Sequence, residues 1–374
     1  MINTAFLCNS TSWGGLEMNI LQMVKWIKAE GKQVILFCPA NSKIAQEAAA
    51  AEITFYAFEQ KIKYIDFWAI SKVIRHLKHH QTKCLILSQS KEIASGALVK
   101  HLIGRQYGLR LLYFQQMMIG IDKKDWVHNF LYKKLDSWVV PLPEVAQNVL
   151  EHTQVAANKI ELLPLAIDVE KFANRKHQKA EVRERFGLPV QAFIVGIVGR
   201  IDRQKGQEFL IRALSMLRGQ GVEFSIAFFG EETKGEEGHY LPFLKALVRE
   251  LNLEKQVFFV PFVEDTSLAY ACLDVFVMAS WAETFGMVTI EAMAAGLPVV
   301  GSYAGGTKDL IKEYKNGLFF EPRSPESLAL QLVKLIKSSA FMNWLSKNAK
   351  ESIREQFSHR VFLERMKAVI NRSK

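Results

Sequence analysis

The chain has 374 residues, 49% of them hydrophobic and 23% charged, with a formal net charge of +10. That length exceeds one ordinary core and predicts two domains of about 150–200 residues each. Mean hydropathy is +0.03, and no uncharged apolar run reaches the ~18 residues of a membrane span, which excludes a transmembrane helix.

The start, MINTAFLCNS, lacks a basic leader and turns polar at once, so it is expected to be a first strand and not a signal peptide. NTAFLCN, QVILFC, ITFYAF, CLILSQS and RLLYFQQ read as successive strands. Helical stretches separate them. In GLEMNILQMVKWIKAEG, for example, Leu16, Ile20, Met23, Val24 and Ile27 fall at 3.6-residue spacing. Such alternation predicts parallel βαβ units. Near residue 164 the rhythm breaks at PLAIDVEKFANRKHQKAEV, a charged connection over about 164–190. It resumes with AFIVGIVGR, FSIAFFG, QVFFV, DVFVMAS and LPVVGS as strands between helices. Asn316-Gly317 marks a turn before a further strand in GLFFEP, after which residues from about 325 to 374 read as helical. The expected organisation is one Rossmann-like domain over 1–164 and a second over 165–355, with a final helix over 356–374. In doubly wound sheets ligands bind at the strand C-terminal ends, so a cleft between the two domains is the expected site.

Cys8, Cys38, Cys84 and Cys272 lie in or beside apolar runs without metal-ligand spacing, and are expected to be buried reduced thiols. They point to the cytoplasm. Residues 1–163 hold 19 Lys and Arg against 13 Asp and Glu, and residues 334–374 hold 10 against 3. A basic surface suits anionic lipid or a phosphorylated substrate, or is simply solvated. No zinc-finger, RRM or helix-turn-helix signature accompanies it, which argues against nucleic acid.

Four motifs carry chemistry. In ETFGMVTIEAMAAG, Glu283 precedes a helix start whose amides, near Gly286, Met287 and Val288, suit an anion. Glu291 lies a little over one turn inside that helix. Two acids flanking a phosphate site make sense if they accept hydrogen bonds from neutral hydroxyls at the two ends of a nucleotide sugar. The alternative is a dipole acid plus a surface acid. In IVGIVGRIDRQKG a strand ends at Gly199, and Arg200 and Lys205 supply two cations suited to a diphosphate. A solvated basic loop is the alternative, and a Walker A pattern is absent. In WGGLE, Gly14 and Gly15 follow the first strand and permit close backbone approach to a ligand, or a tight strand–helix turn. SYAGGTKDLI opens another helix and is expected to be structural.

Taken in order, WGGLE, GRIDRQKG, ETFGMVTIEAMAAGLPVV, GG and NGLFFEP resemble the family 4 glycosyltransferases, over nearly the whole chain and most densely over 193–322. The resemblance implies a GT-B fold, with two Rossmann-like doubly wound α/β domains facing across a cleft. It implies a retaining glycosyltransferase that uses a nucleotide-diphosphate sugar, commonly a UDP-sugar. Glu283 would hold the transferred sugar's hydroxyls and Glu291 the ribose. Arg200 and Lys205, with the amides of Gly286 to Val288, would neutralise the leaving diphosphate. Gly14, Gly15 and Gly199 would let backbone meet the donor. The final helix would cross back to the first domain.

One departure stands out. Many relatives carry a histidine after the fifth strand of the first domain, where this chain has Gln115 and Gln116. Glutamine can position a sugar but cannot accept a proton at neutral pH. No Asp-x-Asp motif occurs, so neither metal nor cofactor is expected, and protein cations carry the charge. The acceptor is expected to be a surface glycan or lipid-linked sugar, with the basic first domain resting peripherally on anionic membrane. Two alternatives stay open: a catalytically weak nucleotide-sugar-binding protein, and another GT-B enzyme such as a sugar-nucleotide epimerase or a phosphorylase.

Overall fold

The computed structural model describes residues 3–59, 66–173, 179–232 and 238–372, except for the side chain of Arg105. Part of the charged connection, 174–178, falls outside these residues. The chain forms two compact units. One comprises Met1–Leu165 with His359–Lys374, and the other Ala166–Ser358.

The first unit is a seven-stranded parallel sheet in the order β3-β2-β1-β4-β5-β6-β7. Its strands are β1 (Thr4–Leu7), β2 (Val34–Cys38), β3 (Phe55–Ala57), β4 (Cys84–Leu87), β5 (Arg110–Phe114), β6 (Ser137–Val140) and β7 (Ile160–Leu162). Between them run α1 (Gly15–Ala29), α2 (Lys43–Ala50), α3 (Phe67–His79), α4 (Ile93–Tyr107), α5 (Trp126–Tyr132) and α6 (Pro143–His152). The central strands β1, β2 and β4 are buried throughout, as parallel strands covered on both faces must be. The sequence expectation named five of these seven strands. β6 is four residues after a charged turn, and β7 is a three-residue edge strand whose side chains are half-buried or exposed, so neither shows a long apolar run. Helix α1 buries Ile20, Met23, Val24 and Ile27 as the spacing requires, but also Glu17 and Trp26, while Leu16 stays half-exposed.

The second unit is a six-stranded parallel sheet in the order β10-β9-β8-β11-β12-β13. Its strands are β8 (Ile194–Val198), β9 (Ser225–Phe229), β10 (Val257–Val260), β11 (Val275–Met278), β12 (Val299–Ser302) and β13 (Leu318–Phe320). Its helices are α7 (Val169–Ala173), α8 (Lys179–Arg185), α9 (Gln207–Arg218), α10 (Tyr240–Glu250), α11 (Thr266–Ala271), α12 (Met287–Ala294), α13 (Thr307–Leu310), α14 (Pro325–Ile336) and α15 (Ser339–Gln356). A single core joins Leu210 and Leu214 of α9, Phe228 of β9, Leu244 of α10, Val277 of β11 and Leu332 of α14.

The last helix, α16 (His359–Asn371), belongs to the first unit. Trp26 of α1 stacks on His359 and packs against Phe362. The Arg110 guanidinium donates to the carbonyls of Val369 and Ile370 at the helix end, at 3.0 and 2.8 Å. All four cysteines are free and buried. No helix among the described residues is long and apolar enough to cross a membrane.

Candidate functional site

Each sheet reverses its strand order once, between β1 and β4 in the first unit and between β8 and β11 in the second. Loops leaving the two strands at such a point diverge and open a crevice.

In the second unit the loop after β8 runs from Gly199 through a short turn at Arg203–Lys205. Asp202 caps that turn by accepting from the Gln204 amide at 2.7 Å. The cap orients Lys205 across the reversal, where its Nζ donates to Glu283 Oε2 at 2.6 Å from 78 residues away. Both side chains are about one-fifth exposed, 22% and 21%, so the pair is shielded but reachable. Arg200 projects from the same loop, more than half exposed and 3.9 Å from Asp202. Gly199 has φ 146°, and a Cβ on Gly230 would fall 2.0 Å from its carbonyl oxygen, so these two loop starts lie back to back.

The loop after β11 carries Glu283 into α12. Gly286 takes φ 91° at the cap, where a Cβ would sit 3.4 Å from Glu283 Cγ. The Gly-Gly pair after β12, expected to be structural, also fixes Glu283 directly. The Gly306 amide donates to the Glu283 carbonyl at 2.8 Å, and a Cβ on Gly305 would meet that oxygen at 2.3 Å. The first amides of α12, at Met287 and Val288, have no intrahelical acceptor by helix geometry, and they carry the positive end of the helix dipole.

Glu291 is not the surface acid of the alternative reading. Its Oε2 accepts from the Tyr270 hydroxyl at 2.9 Å. Burial pushes its carboxyl up to about 7, with the hydroxyls of Tyr270 and Thr266 and the charge of Lys171 pulling the other way. The two acids therefore differ in partner: Glu283 is held by a cation, and the half-buried Glu291 by a neutral hydroxyl. Tyr270 escaped the sequence reading because its helix shows only an ordinary apolar pattern.

In the first unit, Gly14 caps α1 in an extended conformation. Its amide donates to Glu17 Oε2 at 3.0 Å. Nothing lies within 4 Å of a side chain built on Gly15, so space and not backbone strain distinguishes that position. Glu92, which the sequence reading missed, bridges the β1/β4 reversal. It accepts from the amides of Asn9, Ser88 and Gln89 at 2.6, 2.8 and 2.9 Å. Burial pushes its carboxyl up to about 7 against the pull of those amides.

The expectation for Gln115 needs correction. Its Nε2 donates to the Met117 carbonyl at 2.7 Å and its Oε1 accepts from Trp138 Nε1 at 2.7 Å. The residue is 1% exposed, so both ends of the amide serve the fold and neither is presented to a sugar. Gln116 differs: its Oε1 accepts from Asn19 at 3.0 Å, while its buried Nε2 has no partner among the described residues.

Two family profiles match the chain. Residues 13–171 match the one described as Glycosyltransferase Family 4, and residues 178–352 match Glycosyl transferases group 1. The chain is similar to an uncharacterized glycosyltransferase of Methanocaldococcus jannaschii, 33% identical over 184 residues that cover 48% of this chain and 45% of that protein. It is also similar to mannosylfructose-phosphate synthase of Agrobacterium fabrum, 29% identical over 245 residues covering 64% of this chain and 54% of that one. The chain thus spans about half the length of the curated relatives it matches. Among solved structures, HepE of Anabaena in complex with UDP superposes with a TM-score of 0.86 over 99% of both chains at 20% identity, a likeness of fold. The chain belongs to the family 4 glycosyltransferases and has the GT-B fold.

Proposed function

We propose that the chain is a retaining, metal-independent glycosyltransferase. It moves a sugar from a nucleotide-diphosphate sugar, UDP being the nucleotide, to a glycan or lipid-linked acceptor in cell-surface polysaccharide synthesis. It works in the cytoplasm, peripherally on the anionic inner face of the plasma membrane, and takes no cofactor. The observation that carries this reading is the Lys205–Glu283 pair, set at the strand reversal of the second sheet and beside the open start of α12. HepE, which shares the fold, has been solved with UDP and with UDP-glucose, which supports the choice of nucleotide.

In this reading the diphosphate takes Lys205 from Glu283 and lies against Arg200 and the amides of Met287 and Val288. Glu283, released from its cation, accepts from hydroxyls of the transferred sugar. Glu291 accepts from the ribose hydroxyls as a carboxylate. Gly14, Gly15 and Gly199 give backbone approach to the ligand, and the buried Gln116 amide donates to a sugar or acceptor oxygen. The bond between the anomeric carbon and the phosphate oxygen breaks. The acceptor oxygen bonds the same face of that carbon, and its proton passes to the leaving phosphate. Charge growing on that phosphate is what preorganised cations stabilise most.

The test is turnover of labelled UDP-, GDP- and ADP-sugars, preceded by a thermal-shift screen of the same compounds. The expected result is a UDP-sugar shift and transfer with retained anomeric configuration, unaffected by EDTA. Inverted product, or activity lost on chelation and restored by Mg²⁺ or Mn²⁺, contradicts the mechanism. Binding without transfer or hydrolysis would favour a nucleotide-sugar-binding protein, the reading to which the locked Gln115 lends some weight.

A further inference from the structure

Right-handed crossovers place α3, α4 and α5 on one face of the first sheet, because all three connect strands that advance toward β7. α3 packs on α4 and α4 on α5, so the face is continuous. It carries large apolar side chains in the open. Phe67 and Trp68, the first residues of α3, are 66% and 84% exposed. Trp126 and Phe130 on α5 are 79% and 59% exposed, and Met117 and Ile121 in the loop before α5 are exposed as well. Two groups of exposed aromatic residues on one face, flanking α4, are more than single scattered surface residues.

The cations follow the same stripes. Along α3, Trp68 is followed by exposed Lys72, Arg75 and Lys78. On α5, Trp126 and Phe130 lie between Lys123 on one side and Lys133 and Lys134 on the other, with the Lys134 ammonium 5.2 Å from the Phe130 ring. Acids on this stretch are engaged. Asp125 caps α5 through the amides of Val127 and His128, and Asp122 lies 3.9 Å from Lys124.

We propose that this α3–α4–α5 face docks on an anionic bilayer, with Trp68, Trp126 and Phe130 entering the headgroup layer and the flanking lysines and arginine meeting lipid phosphates. The proposal deepens the peripheral membrane contact proposed above and rests on it. Exposed Trp and Phe bordered by Lys and Arg match the chemistry of a lipid interface, apolar below and anionic at the headgroups. A second copy of the chain is disfavoured, since two such faces would bring like charges together. The first turns of α3 and α5 lie at the strand C-terminal edge, the edge that also holds the β1/β4 reversal. Docking there brings a lipid-linked acceptor to the loops of the first unit.

The experiment is co-sedimentation of the full chain with vesicles of phosphatidylcholine alone and with one-third phosphatidylglycerol. Calorimetric UDP affinity serves as the folding control for every variant. The parent is expected to bind only the anionic vesicles. A triple variant, Trp68→Ala/Trp126→Ala/Phe130→Ala, is expected to bind roughly tenfold more weakly, and Trp344→Ala in the second unit to bind as the parent does. Lys72→Ala and Lys133→Ala should each weaken binding about fivefold, the equivalent of about 1 kcal/mol. Quenching of tryptophan emission by brominated lipid should fall in Trp68→Phe/Trp126→Phe. A parent that ignores anionic vesicles sinks the membrane contact altogether. A parent that binds while the triple variant binds equally well sinks this face alone. Concentration-dependent self-association abolished by the triple variant would replace the lipid with a second copy.

Discussion

The two strand reversals occupy the same place in their sheets, and each is spanned by a glutamate, yet the two acids do different work. Glu92 spends its oxygens on three backbone amides from both loops and is fully buried. Glu283 meets one flexible cation and keeps about one-fifth of its side chain in contact with solvent. An acid satisfied by backbone cannot change partner without opening the loops. An acid satisfied by a lysine can exchange it whenever a stronger anion offers to take the lysine away. The comparison separates a strut from a site by the kind of partner the carboxylate has, where topology alone would equate the two.

The sharpest way to break this contrast is to remove the exchangeable cation. Lys205→Ala is expected to lower kcat about 10²–10³-fold, or roughly 2.7–4 kcal/mol, with a smaller change in donor KM. Arg200→Ala should follow in the same direction. Full turnover in both variants would leave Glu283 as no more than one half of a surface ion pair.

The next effect belongs to the strut. Glu92→Ala strands three loop amides, each costing about 1–3 kcal/mol where water cannot reach, so a stability loss of about 3 kcal/mol is expected in urea unfolding. Glu283→Ala should cost within about 1 kcal/mol, as partly exposed ion pairs do. Equal losses would erase the distinction between the two acids.

Within the second unit, Glu283 and Glu291 should fail differently. Glu291→Gln is expected to weaken free UDP about tenfold, by losing a charged acceptor of hydroxyls. Glu283→Gln should mainly lower kcat and leave UDP affinity nearly unchanged, since free UDP lacks the sugar. Calorimetry with UDP and steady-state kinetics on both variants would show the roles reversed if Glu283→Gln alone weakened UDP.

The smallest expected effect is on pH. The Glu291 carboxyl is raised from the ordinary value of 4.5 to about 7, so the folded protein holds this proton more tightly than the unfolded chain. That contribution to stability is complete below about 4.5 and is lost as the pH rises through 7. In the role proposed for Glu291, ligand binding runs the other way, because the ribose hydroxyls donate to the carboxylate. UDP-glucose affinity should rise a few-fold between pH 6 and 8, and Glu291→Gln should flatten the rise. A UDP-sugar suits the measurement because its diphosphate does not titrate there. A pH-independent parent would remove Glu291 from the ribose.

By itself the sequence determined the two α/β units, eleven of the thirteen strands and the order of the motifs. Buried parallel strands must be continuous apolar runs, and helix-opening glycines mark where loops leave them, and both signals are local. NG before GLFFEP and GG after LPVVGS are legible for that reason. The edge strand β7 was not legible, because three half-exposed residues carry no run. Only the tertiary structure decided partners. Asn9 and Glu92 are 83 residues apart, Lys205 and Glu283 are 78, and Glu291 and Tyr270 are 21. Each pair joins residues on different loops or helices, which periodicity cannot see. The same holds for Gln115, whose residue type suited a sugar until Trp138 took its oxygen and the Met117 carbonyl its amide. Which polar groups remain available to a ligand depends on what the fold has already bonded, and that is a property of three-dimensional proximity and not of residue type or spacing.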